Sequence, residues 1–171
     1  MCDAAQIRPD VDQTLFREAM SRIAAAVHVI TSDGPAGPVG FTASAVCSVS
    51  DAPPTLLVCM NRSSRQNAAL HANGVLCVNT LCPGSQHLGE LFSGQAGIAH
   101  GARFGHAAHR PGITGAPLLD EAAMNLEGRI TAVQASGSHD VFFVGVDAIH
   151  GPRDRGALLY FSRRYHGLPA A

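Results

Sequence analysis

The sequence predicts a mostly antiparallel β-barrel with peripheral helices, of the mainly β or α+β class. Three observations carry this. Short apolar runs that read as strands outnumber helical ones, about seven against two or three. The strands do not alternate regularly with helices, which disfavours a doubly wound parallel sheet. The chain of 171 residues suits one domain with a real core, and no internal repeat, low-complexity tract or linker divides it. Residues 1–171 are read as a single domain with 1–11 as an N-terminal tail.

The first element is a helix with Asp12 as N-cap. Phe16, Ala19, Met20, Ile23 and Val27 recur at helical spacing and give it one apolar face. "VHVITS" (27–32) reads as a strand, and "DGPAGPVG" as a turn dense in Gly and Pro. Two strands follow, 39–50 and 55–61, separated by "SDAPP". Ser63 or Ser64 caps a short helix through Leu70 and His71, which Asn73-Gly74 ends. "VLCVNTL" (75–81) is a short buried strand, and "SQHLGELF" one or two helical turns. Residues 93–115, rich in Gly and His, read as a long loop. Met124, Leu126, Ile130 and Ala132 then alternate with polar neighbours. "ASGSHD" turns the chain with a loop longer than the tightest type, and "VFFVGVDAIH" returns it as a hairpin. "ALLYF" is the last strand, ahead of "SRRYHGL".

Composition narrows the function. Hydrophobic residues make up 46%, too many for a disordered chain. A formal net charge of −1 lacks the basic excess of a nucleic-acid binder and argues against adsorption on an acidic membrane. No apolar run has the length of a membrane span. The N-terminus lacks a signal peptide's apolar core, so a cytoplasmic protein is expected. Five cysteines without framework spacing read as reduced thiols rather than a disulfide scaffold.

The common nucleotide and hydrolase motifs are absent. There is no G-x-G-x-x-G, P-loop, H-E-x-x-H or G-x-S-x-G. His100, His106 and His109 match no common zinc spacing and read as exposed loop histidines, so no metal is expected. Cys77 and Cys82 read as core thiols rather than a redox pair.

One stretch is unusual. "GFTASAVCSVSDAPPTLLVCMNR" has the outline of two strands, yet Thr42, Ala43, Ser44, Ala45, Cys47, Ser48 and Ser50 are small or hydroxylated. A strand that only fills a core carries larger residues. Small side chains let something approach the backbone closely. With "CVNTL", "LFSGQ", "GSHDVFFVGVDAI" and "FSRRYHGL", in that order from Phe16 to Leu168, it resembles the short-chain flavin reductases, two-component enzymes on an FMN-binding split barrel. Within that family it is most similar to the NADH:FMN reductases of bacterial pyrimidine utilisation.

The resemblance implies a homodimer that reduces FMN with NADH and supplies diffusible reduced flavin to a separate flavin-dependent monooxygenase. FAD or riboflavin in place of FMN, and NADPH in place of NADH, stay open. So do two other readings: a non-catalytic FMN- or haem-binding split-barrel protein, and an enzyme like pyridoxamine-phosphate oxidase. The resemblance further implies that Thr42, Ala43, Ser44 and Ala45 border the flavin ring, with Ser48 and Val49 continuing that strand. Thr42 and Ser44 have hydroxyls that can donate to ring or ribityl oxygens. Cys59, Asn61, Arg62 and Ser64 fall where the family holds the ribityl chain and phosphate, and a helix start there suits an anion. Asn79, Phe92 and Gly94 match blocks at the flavin pocket. His139, in Gly137-Ser138-His139, matches the family's Gly-Asp-His turn as catalytic and nicotinamide-binding residue, with Tyr165 and His166 bordering the same pocket. Two departures stand out: Gly128 replaces a frequent Cys, and no Trp occurs anywhere in the chain.

Overall fold

The computed structural model describes residues 11–151 and 154–170; residues 1–10, most of the expected N-terminal tail, lie outside them. In chain order the elements are α1 (Gln13–Ser21), β1 (Ala25–Ala26), β2 (His28–Ser32), β3 (Val39–Ala43), β4 (Val46–Asp51), β5 (Pro54–Asn61), α2 (Arg65–Asn73), β6 (Val75–Thr80) and α3 (Gln86–Ser93). Two short strands, β7 (His109–Pro111) and β8 (Pro117–Leu119), precede the long pair β9 (Met124–Ser136) and β10 (His139–His150), then β11 (Ala157–Phe161) and β12 (Arg164–Leu168).

Alternation decides which faces turn inward. Leu56, Val58 and Met60 of β5 are buried while Leu57 and Cys59 are half-exposed, the period of two of a strand with one wet face. β2 is buried along its whole length, as befits a strand covered on both sides. A seven-stranded antiparallel sheet runs β3-β2-β6-β9-β10-β5-β4. Its inner face packs Ile30, Val58, Leu76, Val78, Phe142 and Val144 around Leu70 of α2. A second core lies between α3 and a three-stranded sheet of order β1-β11-β12.

The chain order of the two sheet edges makes the site. β3 and β4 lie at opposite ends of the sheet, yet only Ser44 and Ala45 separate them in sequence. The sheet must therefore curl until its edges nearly meet. They do not pair with each other; the Cys59 N–H, from β5, donates to the Ala45 carbonyl at 3.0 Å. The barrel is split at this bend, where the sequence read one unbroken strand over 39–50. Residues too small to pack a core form the crossing.

Other differences have local reasons. α1 ends at Ser21, and Phe16, Met20 and Ile23 are exposed rather than packed on the barrel. The loop 93–115 contains a 3₁₀ segment over 100–106 and strand β7, pinned to β8. The β9–β10 turn is shorter than expected: Ser136 pairs with His139 across Gly137-Ser138, with Gly137 at φ 55°, the left-handed geometry a two-residue hairpin needs. "SRRYHGL" holds strand β12. Gly128 sits so close to the Gly145 carbonyl that a Cβ would overlap it, so a side chain there needs the β9–β10 backbone to shift. No described helix is long and apolar enough to cross a membrane.

Candidate active site

A cavity of about 370 Å³ opens in the split. Its floor is β3 and the bend, Phe41 through Ala45; its far wall is the end of β5, Cys59 to Asn61. Ser64 and Gln66 at the head of α2, and Phe92, Ser93 and His100 opposite, complete it. A second, smaller cavity of about 190 Å³ shares Thr42, Ala43 and Ser44 and adds Tyr160 and Tyr165. The size of the larger one suits a small-molecule site.

Thr42, Ala43, Ser44, Ala45, Cys59, Asn61, Ser64 and Phe92, expected together, line this one cavity. Their hydroxyls differ, however. Thr42 Oγ1 donates to the Gly89 carbonyl at 2.7 Å, so its proton is committed to α3 and only its lone pairs face a ligand. Ser44 is exposed and keeps its hydroxyl free among the described residues. Asn61 Oδ1 accepts from the Ser63 N–H at 2.9 Å and the Ser63 hydroxyl at 2.8 Å, an Asx turn that launches α2. Ser64 caps α2 by accepting from the Gln66 N–H at 3.3 Å. The Cys59 thiol is pushed up by burial, with Cys47 adding to it, so it is a neutral wall group.

Arg62 stands at the rim. Its N–H donates to the Ser138 carbonyl at 3.0 Å, and its Nε lies 3.5 Å from Asp140 Oδ1 with the side chain more than half exposed, outside the cavity lining. Asp140 is buried and also takes His71 Nε2 at 3.1 Å. The His71 contact holds its carboxyl below the usual range; burial opposes this, and Asn67 and Arg62 add to the lowering. His139 pairs in register with Asn61, so the turn carrying it borders the cavity. Ser138 Oγ and His139 Nδ1 are 2.9 Å apart.

Five expected residues lie elsewhere. Ser48 and Val49 sit on exposed β4 at a bulge, beyond the lining. Asn79 is fully buried: its Nδ2 donates to Val29 O and Thr31 Oγ1, each at 2.9 Å, and its Oδ1 accepts from Leu119 N and Asn125 Nδ2, each at 2.8 Å. Nothing is left for a ligand. Gly94 is the left-handed end of α3 at φ 92°, against the Arg103 guanidinium, which in turn donates to the Phe92 carbonyl at 2.9 Å. It shapes the wall from behind. His166 turns outward to the Phe161 carbonyl at 3.2 Å, while its neighbour Tyr165 faces the smaller cavity with its hydroxyl pKa raised by burial, Tyr160 and Glu90.

Two further residues line the cavity: Gln66, which the sequence reading passed over, and His100, which it read as an exposed loop histidine. Gln66 Nε2 donates to the Gly40 carbonyl at 3.0 Å and lies 2.6 Å from His100 Nδ1. An atom facing a carbonyl oxygen must donate, so it is the amide nitrogen. His100 Nδ1 therefore accepts, and the neutral ring carries its proton on Nε2. Burial, then Arg103 and Arg65, lower the His100 pKa, keeping that neutral form at pH 7. Gln66 was legible only as a polar helix start. His100 is exposed, as read from the sequence, but its stretch has no periodicity and nothing there pointed to the cavity.

Known proteins share this architecture. BorF, the flavin reductase component of a bacterial two-component tryptophan halogenase, superposes with a TM-score of 0.86 at 28% identity, over 94% of this chain and 100% of that one. FMN reductase (NADH) RutF 1 of Methylorubrum extorquens is 50% identical over 171 residues, covering 100% of this chain and 84% of that protein. FMN reductase (NADH) RutF of Escherichia coli is 49% identical over 158 residues, 92% of this chain and 95% of its own. The flavin reductase like domain matches residues 20–169, a span that contains the bend, the cavity and every wall of it, and the chain belongs to that family.

Proposed function

We infer that this chain catalyses the NADH-dependent reduction of FMN and releases the reduced flavin to a separate flavin-dependent monooxygenase. The carrying observation is the cavity in the split, where bare backbone and small side chains meet a helix start. The residues fit a flavin on two counts. Gly40, next to the floor, packs so tightly on the Phe92 ring that a Cβ there would lie 2.6 Å from it, and Thr42, Ala43, Ser44 and Ala45 present only small groups to the cavity. The donors around it are of the right kind: the Ser44 hydroxyl, the Ser64 hydroxyl at the α2 head, which accepts from Gln66 and keeps its own proton, the Arg62 guanidinium at the rim and His100 Nε2–H.

FMN, when bound, would supply the ring that takes up the hydride of NADH, chemistry that needs no acid or base from the protein. The backbone of 43–45 holds the ring plane in place. The α2 head, with Arg62 at the rim, would hold the phosphate. Asp140 fixes Arg62 and the turn of His139 together, so the nicotinamide side of the site is set relative to the phosphate side. Such positioning is what brings reacting atoms to about 3–3.5 Å. His139 lies at the rim, where it can orient the carboxamide of the nicotinamide. Tyr165 borders the adjoining space.

The exposed apolar side chains Leu15, Phe16, Val49 and Ile149 fit burial against a second copy of the chain, and the functional unit is inferred to be a homodimer. The consumer implied by the family resemblance is a monooxygenase that opens the uracil ring. The test is simple: mix protein, NADH and FMN in air and follow the NADH absorbance band. Loss of NADH that depends catalytically on added FMN is expected. Stoichiometric flavin binding with no NADH loss would instead establish a flavin-binding module.

A further inference from the structure

Gln66 is 6% exposed, and both protons of its amide nitrogen are committed: Nε2 donates to the Gly40 carbonyl at 3.0 Å and to His100 Nδ1 at 2.6 Å. This fixes the imidazole chemically as well as in space. Protonation of Nδ1 would set an N–H against the Gln66 amide nitrogen. The amide cannot turn over to receive it without placing its own oxygen against the Gly40 carbonyl. His100 is therefore held as a neutral ring with its proton on Nε2. No described residue accepts that proton, and the ring lines the cavity in the split.

The backbone that carries the ring is anchored from behind. His100 opens the 3₁₀ segment over 100–106, and the Arg103 side chain of that segment is 4% exposed. Its Nη1 donates to the Phe92 carbonyl at 2.9 Å and its Nε to the Ile98 carbonyl at 3.2 Å. Phe92 stands in the last turn of α3 and is itself a wall of the cavity. The segment is thus tied to α3 on one side and, through Gln66, to α2 and β3 on the other. Gln66 follows directly on the first residue of α2 and its Ser64 cap, and Gly40 precedes the floor at 43–45 on β3. The free Nε2–H therefore belongs to the α2 end of the cavity rather than to the bend. Neither the ring nor the amide carries charge, so the couple supplies direction rather than attraction.

We propose that His100 is a specificity-determining residue of the flavin site: its Nε2–H donates to the phosphate of FMN, and Gln66 is the residue that positions it. The proposal rests on the reading of the α2 head as the phosphate end of that site. Riboflavin has the same ring and ribityl chain without the phosphate, so the ratio of FMN to riboflavin affinity isolates the contact. His100→Leu, His100→Gln and Gln66→Met are made in the full chain, and each is titrated with both flavins by fluorescence quenching. His100 is exposed, so its variants should fold. In His100→Leu the affinity for FMN falls at least about tenfold, the worth of a hydrogen bond to a charged group, while that for riboflavin holds. His100→Gln, whose amide N–H reaches about as far as Nε2, restores much of the ratio. Gln66→Met keeps the length of the side chain and removes its donor. Its ratio falls part of the way, and the nitrogen NMR shifts of the His100 ring, assigned by their loss in His100→Leu, change from one tautomer to a mixture. A packing role for Gln66 would leave the tautomer unmoved and overturn its part in the proposal. Where Gln66→Met folds poorly, the wild-type tautomer and the two His100 variants decide. Equal losses for both flavins overturn the phosphate contact, and so does an unmoved ratio in folded His100→Leu. A wild-type ring with its proton on Nδ1 overturns the lock. Wild-type protein that binds neither flavin would instead overturn the reading of the split as the flavin site.

Discussion

Two polar clusters sit on the same sheet and are built from the same kinds of residue. On one side Asn79, Asn125 and Glu127 are buried under the β7–β8 hairpin. On the other, Ser44, Asn61, Ser64 and Arg62 ring the split. The first cluster is closed. Glu127 accepts four hydrogen bonds, from Ile113 N at 3.1 Å, Thr114 N at 2.9 Å, Thr114 Oγ1 at 2.8 Å and His150 Nε2 at 2.7 Å. Burial alone would raise its pKa, but the Thr114 N–H, His150, the Thr114 hydroxyl and the Ile113 N–H together hold it below the ordinary value. The second cluster is open, with Ser44, Arg62 and His100 keeping donors in hand. Residue type does not separate a structural polar group from a binding one; the fate of its hydrogen bonds does.

Removing a member of the closed cluster should therefore cost stability and little else. Glu127→Ala strands two backbone N–H groups and two side chains at a buried position. Stranding partners of a buried carboxylate in this way costs about 1–3 kcal/mol. Urea denaturation should show a loss of that size. A loss under about 1 kcal/mol would mean that the hairpin finds other partners and the cluster is not closed.

Acid should sharpen the same contrast. His28 is buried on β2, with Nδ1 3.1 Å from Thr80 Oγ1, and burial lowers its pKa to about 4. A depressed folded pKa means that the unfolded chain binds the proton first, so stability is full above the unfolded value near 6.5 and falls as pH drops toward 4. The integrated loss is about 3 kcal/mol. Glu127, also depressed, adds its own loss below its unfolded value. Denaturation midpoints measured from pH 7 to pH 4 should fall in wild type and fall less in His28→Gln. Parallel curves for the two proteins would remove His28 as the cause.

How legible was this molecule? The barrel class was readable because strand-like apolar runs outnumber helical ones without alternating with them, and because Met124, Leu126 and Ile130 alternate with polar neighbours. The cavity was readable at 42–45 because no core explains so many small residues together. The bend itself was not, since nothing in "TASAV" marks where one edge of a sheet becomes the other; only the closure of seven strands demands it. Asn79 stands in a block that resembles a flavin-contacting one, and its burial among four partners is a property of tertiary neighbours 40 or more residues away along the chain. Asp140 and His100 gain their places through contacts with Arg62, His71 and Gln66 that no local pattern encodes.

At the open cluster the expectations reverse. Ser44→Leu puts a bulky side chain on the floor of the cavity at an exposed position with no packing to disturb. FMN affinity should fall by at least about tenfold, roughly 1.4 kcal/mol, while the urea midpoint stays within about 0.5 kcal/mol of wild type. Flavin titration by fluorescence quenching measures the first. Unchanged affinity in a folded variant would move the flavin away from the bend.

The smallest effect, and the one that divides the open cluster internally, belongs to His139. It pairs with Asn61 across β5 and β10, so it stands beside the cavity in the split without lining it. Its ring is exposed, and its hydrogen-bond partner at 2.9 Å is the Ser138 hydroxyl of the same turn. Truncation should leave the turn intact, because Gly137 and the Arg62 N–H to Ser138 bond hold it through backbone alone. His139→Ala should then lower turnover with NADH several-fold, about 1 kcal/mol, the worth of one hydrogen bond to a bound ligand, and change FMN affinity less. Steady-state kinetics at saturating FMN, set beside flavin titration, separates the two. Equal losses would mean that His139 props the rim rather than meeting the nicotinamide. No loss in either would take it out of the site and leave the orientation of the hydride donor to Tyr165 and the far side of the bend.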